Sequence, residues 1–431
     1  MVKDKVSDYV EGVAAKYLSA VDAEAKKSNQ HEIGGLVRAG FSPYLGVGPD
    51  DFRYKVRQVY ISDDQEEPII CDSYVTWYDT RRDDESRGPE YRLYYYDSPV
   101  TEMMSGGDFF LLAKLKNEIS SQTEGVVPAG IKLRPGSFLM VFARPGSSAE
   151  SQLKAMFGLS SVSGAFSSGK TDAVDLILPL RLMLESIGVE VGSGLGQEGE
   201  WLQRLVDAFG GVAFPKTSIF SEFARNSLGA EVSAIDTPDA TLMAWMQREE
   251  SLFRLYERYL VRERLILGFS GDVDSFIDFS LSVQNRRKSR VGHAFEGHLN
   301  KLFVENGLNF EQGRGKGRVT ENNSRPDFMF PSFGAYQDLF YPVSGLLMLG
   351  AKTSCKDRWR QVLSEANRIP SKHLITLEPA ISGAQLEEMA AHLLQLVVPS
   401  SIQDTYTLGQ RGKLLNVSEF IDLARKTQMQ N

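Results

Sequence analysis

The stretch Ser324–Pro370, SRPDFMFPSFGAYQDLFYPVSGLLMLGAKTSCKDRWRQVLSEANRIP, sets two acids and a lysine around one apolar run. Asp327 follows Pro326. Leu346 to Lys352 predicts a buried strand whose last residue is the lysine. The charged turn Cys355-Lys356-Asp357-Arg358-Trp359 then leads into an expected helix that carries Glu365. Two carboxylates and a lysine at a strand edge are what a metal-dependent phosphodiesterase needs. Carboxylates hold Mg²⁺, which polarises the phosphate and the attacking water. A lysine is a compact point charge that orients that water and offsets charge building on the phosphorus.

On a helix starting near Asp357, Trp359, Val362, Leu363 and Ala366 would form the apolar stripe that packs on the strand. Arg358, Gln361 and Glu365 recur at three and four residues and share a polar stripe. A solvated helix face beside an ordinary strand-end lysine fits the same spacing.

The stretch resembles the catalytic core of the EcoRII-type restriction endonucleases, a branch of the PD-(D/E)xK nuclease superfamily. The matching runs are Asn285 to Arg290, Arg325-Pro326-Asp327-Phe328, Gly334-Ala335-Tyr336, and Lys352 to Gln361. Glu365-Ala366 and Val397-Val398-Pro399-Ser400-Ser401 follow, and the similarity runs from near Phe214 almost to the C-terminus. One departure from the superfamily pattern stands out. Gly350 occupies the place two residues before Lys352 where an acid is usual. The resemblance implies that the second carboxylate is Glu365, that Asp327 and Glu365 hold Mg²⁺, and that Lys352 is the catalytic lysine. It implies that Lys356, Asp357 and Arg358 read the paired cytosines and guanines of a CC…GG site. Cations suit guanine O6 and N7, and a carboxylate suits cytosine N4. It also makes Tyr336 a candidate wall for an extruded central base, with Arg248 as its expected partner.

A chain of 431 residues is expected to hold two or three domains. Its two cysteines, Cys71 and Cys355, suggest neither a disulfide framework nor a thiolate metal site. No run approaches the length of a membrane span, and the first residues lack the basic-then-apolar pattern of a leader, so a cytoplasmic chain is expected. The formal net charge of −8 is unevenly spread. Residues 1–110 carry 13 Lys/Arg against 21 Asp/Glu. Residues 281–318 instead carry eight bases against three acids, and residues 352–372 six against two. Such patches are the footprint of phosphate binding.

Residues 1–30 show helical spacing of Val6, Tyr9, Val10, Val13, Ala14 and Tyr17 and predict an amphipathic helix. From Ile33 to Ala143 the pattern changes to short aromatic strands, namely 54–61, 69–78, 91–96, 109–115 and 138–142, which suggests a β barrel or sandwich. The charged segment Thr80–Pro89 reads as a surface loop. Placed before an EcoRII-type core, residues 1–150 more weakly resemble its effector domain, a mainly-β DNA-binding pseudobarrel. Asn29, His31, Arg81, Arg87 and Arg92 are its candidate contacts. Residues 151–212, Gly/Ser-rich with two helical runs, read as a helical linker acting as a flexible tether. Within them Gly164 to Thr171 match a phosphate-binding loop literally. The residues before it make a poor strand, so no nucleotide cofactor is expected.

Residues 213–431 form the expected catalytic domain, an α/β fold with a mixed central sheet flanked by helices. Helices are predicted at 240–267, 273–283 and 290–305. Glu296 on the last could add a carboxylate, whereas His293 and His298 lack partners at metal-ligand spacing. The expectation is a homodimeric, Mg²⁺-dependent type II endonuclease cutting double-stranded DNA at a CC…GG palindrome, held inactive by its acidic N-terminal domain until a second site is bound. A two-fold site calls for a two-fold protein. A catalytically inactive DNA-binding regulator and a repair or modification-dependent nuclease on the same core are the rival readings.

Overall fold

The computed structural model describes residues 4–23, 31–65, 67–84, 86–119, 132–159, 161–192 and 195–429. These divide into two compact units, one of residues 3–191 with 380–384, the other of 192–379 and 385–431.

The first unit is mainly β. Its eight strands are β1 (Val10–Tyr17), β2 (Glu32–Gly34), β3 (Phe52–Ile61), β4 (Ile69–Asp79), β5 (Tyr91–Tyr95), β6 (Phe109–Leu115), β7 (Ser137–Ala143) and β8 (Ser167–Ser168). They form one mixed sheet in the order β2-β5-β4-β3-β7-β6-β1-β8. β3 and β7 are parallel, and the other neighbours run antiparallel. Alternation along β6 explains the layers, because Phe109, Leu111 and Ala113 enter one core and Phe110 and Leu112 the other.

Two expectations fail here. The helix over residues 1–30 is replaced by a 3-10 turn (Val6–Asp8), strand β1 and a single helical turn (Ala20–Ala23), with residues 24–30, Asn29 among them, outside the described residues. β1 lies between β6 and β8 and is covered on both faces, with Val13 and Ala15 in one core and Ala14 in the other. A strand buried on both sides has no polar alternation, so its apolar residues can imitate a helical stripe. Gly12 marks a register shift in β1, where a Cβ would lie 2.6 Å from the Tyr44 ring. Of the residues 151–212 read as a flexible tether, 151–159 and 161–191 pack instead against the sheet. Leu153, Met156 and Phe157, from the helix Ser148–Met156 and its end, and Leu180, Leu184 and Ile187, from the helix Leu178–Ser186 and its end, are fully or almost fully buried in the same core as β6. The phosphate-loop match is part of that packing. Its Ser167–Ser168 pairs with β1, and Thr171–Ala173 is a 3-10 turn.

The second unit has a five-stranded sheet of β9 (Glu311–Gln312), β10 (Phe328–Phe330), β11 (Leu347–Lys352), β12 (Lys372–Thr376) and β13 (Leu394–Val397), in the order β13-β12-β11-β10-β9. β11, β12 and β13 are mutually parallel, whereas β10 is antiparallel to both β11 and β9. Phe303 sits among Phe310, Phe328, Phe330 and Phe420 and ties the helix Val273–Glu305 to the helix Val417–Met429 across this sheet. The helices expected at 273–283 and 290–305 are one helix of 33 residues. Asp239 accepts hydrogen bonds from the backbone N–H groups of Ser400, Val417 and Ser418, so it caps the C-terminal helix from a distance. Where the helices Pro238–Leu267 and Val273–Glu305 cross, Arg290 bridges Glu249 and Glu250 while His298 Nε2 meets Glu249 at 2.8 Å, all of them buried. Removing one member of such a network strands a buried charge.

His373 on β12 gives a pH dependence. Burial pushes its imidazole down from 6.5 to about 4. The folded chain therefore refuses a proton that the unfolded chain accepts. This contribution is complete above the unfolded value and fades as pH falls toward the folded one. Urea unfolding of wild type and His373→Leu at pH 7 and pH 5 should show wild type losing about 2 kcal/mol relative to the variant at the lower pH. An unchanged difference would show that His373 is not held neutral.

Candidate active site

Asp327 stands immediately before β10, and the antiparallel register pairs Phe328 with Leu349 on β11. That pairing brings Asp327 to the C-terminal end of β11. Its Oδ2 accepts both the Ala351 N–H at 2.7 Å and the Lys352 ammonium at 2.8 Å. Asp327 and Lys352 are each mostly covered, their side chains 17% and 22% exposed.

Glu365 reaches the same place by an unexpected route. The helix after β11 spans only Trp359–Leu363 and is preceded by a 3-10 turn over Lys356–Arg358, so Glu365 lies beyond its end. Ser364 closes the helix, and Ala366 adopts φ +50, a left-handed conformation that is costly for a residue with a Cβ. The surroundings hold that turn. Thr320 Oγ1 accepts the Ala366 N–H, Glu321 accepts that of Asn367, and the Tyr336 hydroxyl accepts that of Arg368. The expected helical stripe linking Arg358, Gln361 and Glu365 is therefore replaced by a clamped turn.

The charges of these acids act on one another. Burial, then the negative charge of Asp327, lifts the Glu365 carboxyl to about 7, opposed by Lys352 and Lys372. Glu365 Oε2 is buried and has no hydrogen-bond partner. Glu296 is also raised, first by burial and then by Asp327, although Arg314 pairs with it at 2.6 Å. Among the described residues no group of three or more His, Cys, Asp or Glu side chains is close enough to hold a metal ion. What gathers is a pair of carboxylates that repel each other, one with an unpartnered oxygen. A divalent cation completed by water and phosphate oxygens relieves both conditions, so these residues fit such an ion.

Gly350 explains why the usual acid is missing. A Cβ there would lie 3.0 Å from Val362 Cγ2 and 3.4 Å from Leu374 Cδ1. The helix Trp359–Leu363 packs down on this strand position, and a carboxylate would be driven into it.

The remaining candidates fall in separate places. Lys356 is half-buried with φ +29, and its carbonyl accepts from Gln385 at 2.9 Å. Arg358 is exposed, while the side chain of Asp357 lies outside the described residues. Tyr336 and Arg248 are not brought together. The Tyr336 hydroxyl donates to Glu321 at 2.6 Å, and Arg368 stacks 5.5 Å from its ring. Arg248 instead stacks 4.9 Å from Trp201, on the long helix Pro238–Leu267. The expected pocket partner is thus displaced by Arg368, whose guanidinium also binds the carbonyls of Tyr336, Asp338 and Tyr341. In the first unit Arg81 and Arg92 both pair with Glu90, and His31 lies 3.5 Å from Asp97. Arg87 lies on the exposed loop.

Sequence reading missed Lys372, Thr320, Glu321 and Arg368. Thr320-Glu321 lies just ahead of Asp327 and Arg368 just after Glu365, but only folding shows that they hold the Glu365 turn.

Residues 253–421 match the family model described as EcoRII C terminal. The type II restriction enzyme EcoRII of Escherichia coli is 43% identical over 201 residues, 47% of this chain and 47% of that enzyme, so the chain spans about half the length of the curated relative it matches. A solved structure described as metal-depleted Ecl18kI in complex with uncleaved, modified DNA aligns at 17% identity and a TM-score of 0.43, over 54% of this chain and 85% of its own. The restriction endonuclease PspGI in complex with substrate DNA aligns at 18% identity and a TM-score of 0.41, over 51% and 95%. Over residues 253–421, therefore, the chain is similar to the EcoRII C-terminal domain, and about half of it aligns with the EcoRII enzyme.

Proposed function

We propose that the second unit is a type II restriction endonuclease that hydrolyses double-stranded DNA at a CC…GG palindrome, using Mg²⁺ held by Asp327 and Glu365. The observation that carries this reading is the Lys352–Asp327 contact at 2.8 Å beside the unpartnered Glu365 oxygen. The identity to EcoRII supports it across the same residues. Bound Mg²⁺ would polarise the scissile phosphate and lower the pKa of the attacking water. Lys352, held by Asp327, would orient that water and stabilise charge on the phosphate oxygens. The clamp of Thr320, Glu321 and Tyr336 keeps Glu365 where its oxygen can serve, and preorganisation of this kind limits the cost of reaching the reactive geometry. Glu296 is the reserve carboxylate, and Lys356, Asp357 and Arg358 are the base-reading residues.

Two copies would act together on a two-fold site, one on each strand. The first unit would bind a second copy of the site, with His31, Arg81 and Arg92 as its contacts once DNA phosphates displace Glu90 and Asp97. Its acidity would let it shield the basic patches of the second unit until then.

Three experiments test these parts. A supercoiled plasmid bearing CC…GG sites should be linearised with Mg²⁺ and left intact with EDTA. Asp327→Ala, Lys352→Ala and Glu365→Ala should each cut at least about 10²-fold more slowly while still binding the site. An uncut plasmid under every condition would favour the inactive-regulator reading, and a fully active Glu365→Ala would pass the metal-ligand role to Glu296. In a binding assay Arg358→Ala should lose about 1–3 kcal/mol for the cognate duplex and little for an unrelated one. Equal losses on both would make Arg358 a phosphate contact. A fragment of residues 192–431, folded by circular dichroism, should cut single-site DNA faster than the whole chain and ignore added site-bearing oligonucleotide. Equal or slower cutting would leave the first unit without a shielding role.

A further inference from the structure

Between β9 and β10 the chain alternates glycines with bases, as Gly313, Arg314, Gly315, Lys316, Gly317 and Arg318. This loop is built onto Asp327. The Gly313 N–H donates to the Asp327 carbonyl at 3.1 Å, and a Cβ on Gly313 would lie 2.2 Å from the Pro326 carbonyl oxygen. Only glycine permits that approach. Arg318 folds the loop back, its Nη1 donating to the carbonyls of Gln312 and Arg314, each at 3.1 Å. Gln337 holds the far end through the carbonyls of Gly317 and Val319. Two of the cations stand at the surface. Lys316 is exposed, and the Arg314 side chain is 55% exposed.

Arg314 has a partner, and that partner belongs to the acid cluster. Its Nη2 donates to Glu296 Oε2 at 2.6 Å. The Glu296 side chain is only 18% exposed and stands on the helix Val273–Glu305, where it senses the charge of Asp327. The three acids are therefore treated differently. Asp327 is tied to Lys352, Glu365 has an unpartnered oxygen, and Glu296 is tied to a cation on an exposed loop. An ion pair with so exposed an arginine is weak. A duplex backbone is a dense row of phosphates, which guanidinium groups bind with two parallel hydrogen bonds. Glycines on either side of Arg314 and Lys316 let the loop come close to such a backbone. A phosphate can take Arg314 from Glu296 at little cost.

We propose that residues 313–318 contact the DNA backbone and that Arg314 is a latch on Glu296, a reading that rests on the nuclease function proposed above. Without DNA, Arg314 neutralises Glu296 and keeps this third carboxylate from the cation site. A bound duplex draws Arg314 onto a phosphate and frees Glu296 to face the cation beside Asp327. Substrate then completes the site that acts on it, and the DNA-free chain holds its cation weakly. Arg314 is a positioning residue that acts through Glu296.

Metal and DNA binding by the full chain test this without relying on cleavage. With Mn²⁺ as a paramagnetic probe and no DNA, Arg314→Gln should bind at least about fivefold more tightly than wild type, because a carboxylate is freed. Adding Glu296→Gln should abolish that gain, and Lys316→Gln alone should leave Mn²⁺ affinity unchanged. In EDTA, Arg314→Gln and Lys316→Gln should each weaken cognate and unrelated duplexes alike, and each should flatten the slope of log Kd against log salt by about 0.9. A purely structural ion pair would leave that slope untouched. Unchanged Mn²⁺ affinity in Arg314→Gln, or a gain that survives Glu296→Gln, overturns the latch. An unchanged salt slope in both variants overturns the phosphate contact. Circular dichroism of each variant excludes misfolding at these surface positions. A plasmid assay on the same samples separates the two readings. The expected binding changes in a protein that never cuts with Mg²⁺ would sink the nuclease reading alone, and normal cutting with no binding change would sink the latch alone.

Discussion

The contact between Lys352 and Asp327 is the constraint around which the second unit is arranged. Opposite charges held at the end of paired strands, with limited access to water, interact more strongly than on an open surface. The pair also defines a small volume of mixed charge. Glu365 and Glu296 both sense Asp327 across it, and burial makes that repulsion costly. Folding tolerates such a cluster when it is completed by something the chain does not supply, which is the physical argument for a cation there.

Much of the surrounding architecture keeps this arrangement intact. Gly350 lets the helix Trp359–Leu363 settle on β11, and that settling leaves no space for an acid on the strand. The chain then turns at Ala366 under the hold of Thr320, Glu321 and Tyr336. Tyr336, expected at the wall of a base pocket, is thus occupied with its hydroxyl between a carboxylate and a backbone N–H. The same residue can serve catalysis by positioning alone, and its aromatic character tells nothing of which task it performs.

The two units solve different packing problems. In the first, one sheet carries a core on each face, and the helices Ser148–Met156 and Leu178–Ser186 complete one of them. In the second, a short sheet is braced by long helices, and one hairpin of those helices extends past the last buried residue.

The amino-acid order determined a good deal by itself. Strands β3 to β7 were legible because each pairs alternating or aromatic residues with polar turns, and β11 because an apolar run ends in a single lysine. The nearness of Asp327, Lys352 and Glu365 was expected from the motif that contains them, and their roles remain a proposal. What the order could not show was anything depending on a distant segment. β1 reads as a helix until β6 and β8 cover both its faces. The Gly/Ser-rich stretch after Arg144 reads as a tether until its leucines meet the sheet. Glu365 reads as a helical residue until Glu321 and Tyr336, far back in the chain, bend the backbone beneath it. Periodicity records only which neighbours along the chain share a face. Which surfaces are finally covered, and where a carboxylate is finally aimed, is decided by residues many tens of positions away, and only the folded chain brings them together.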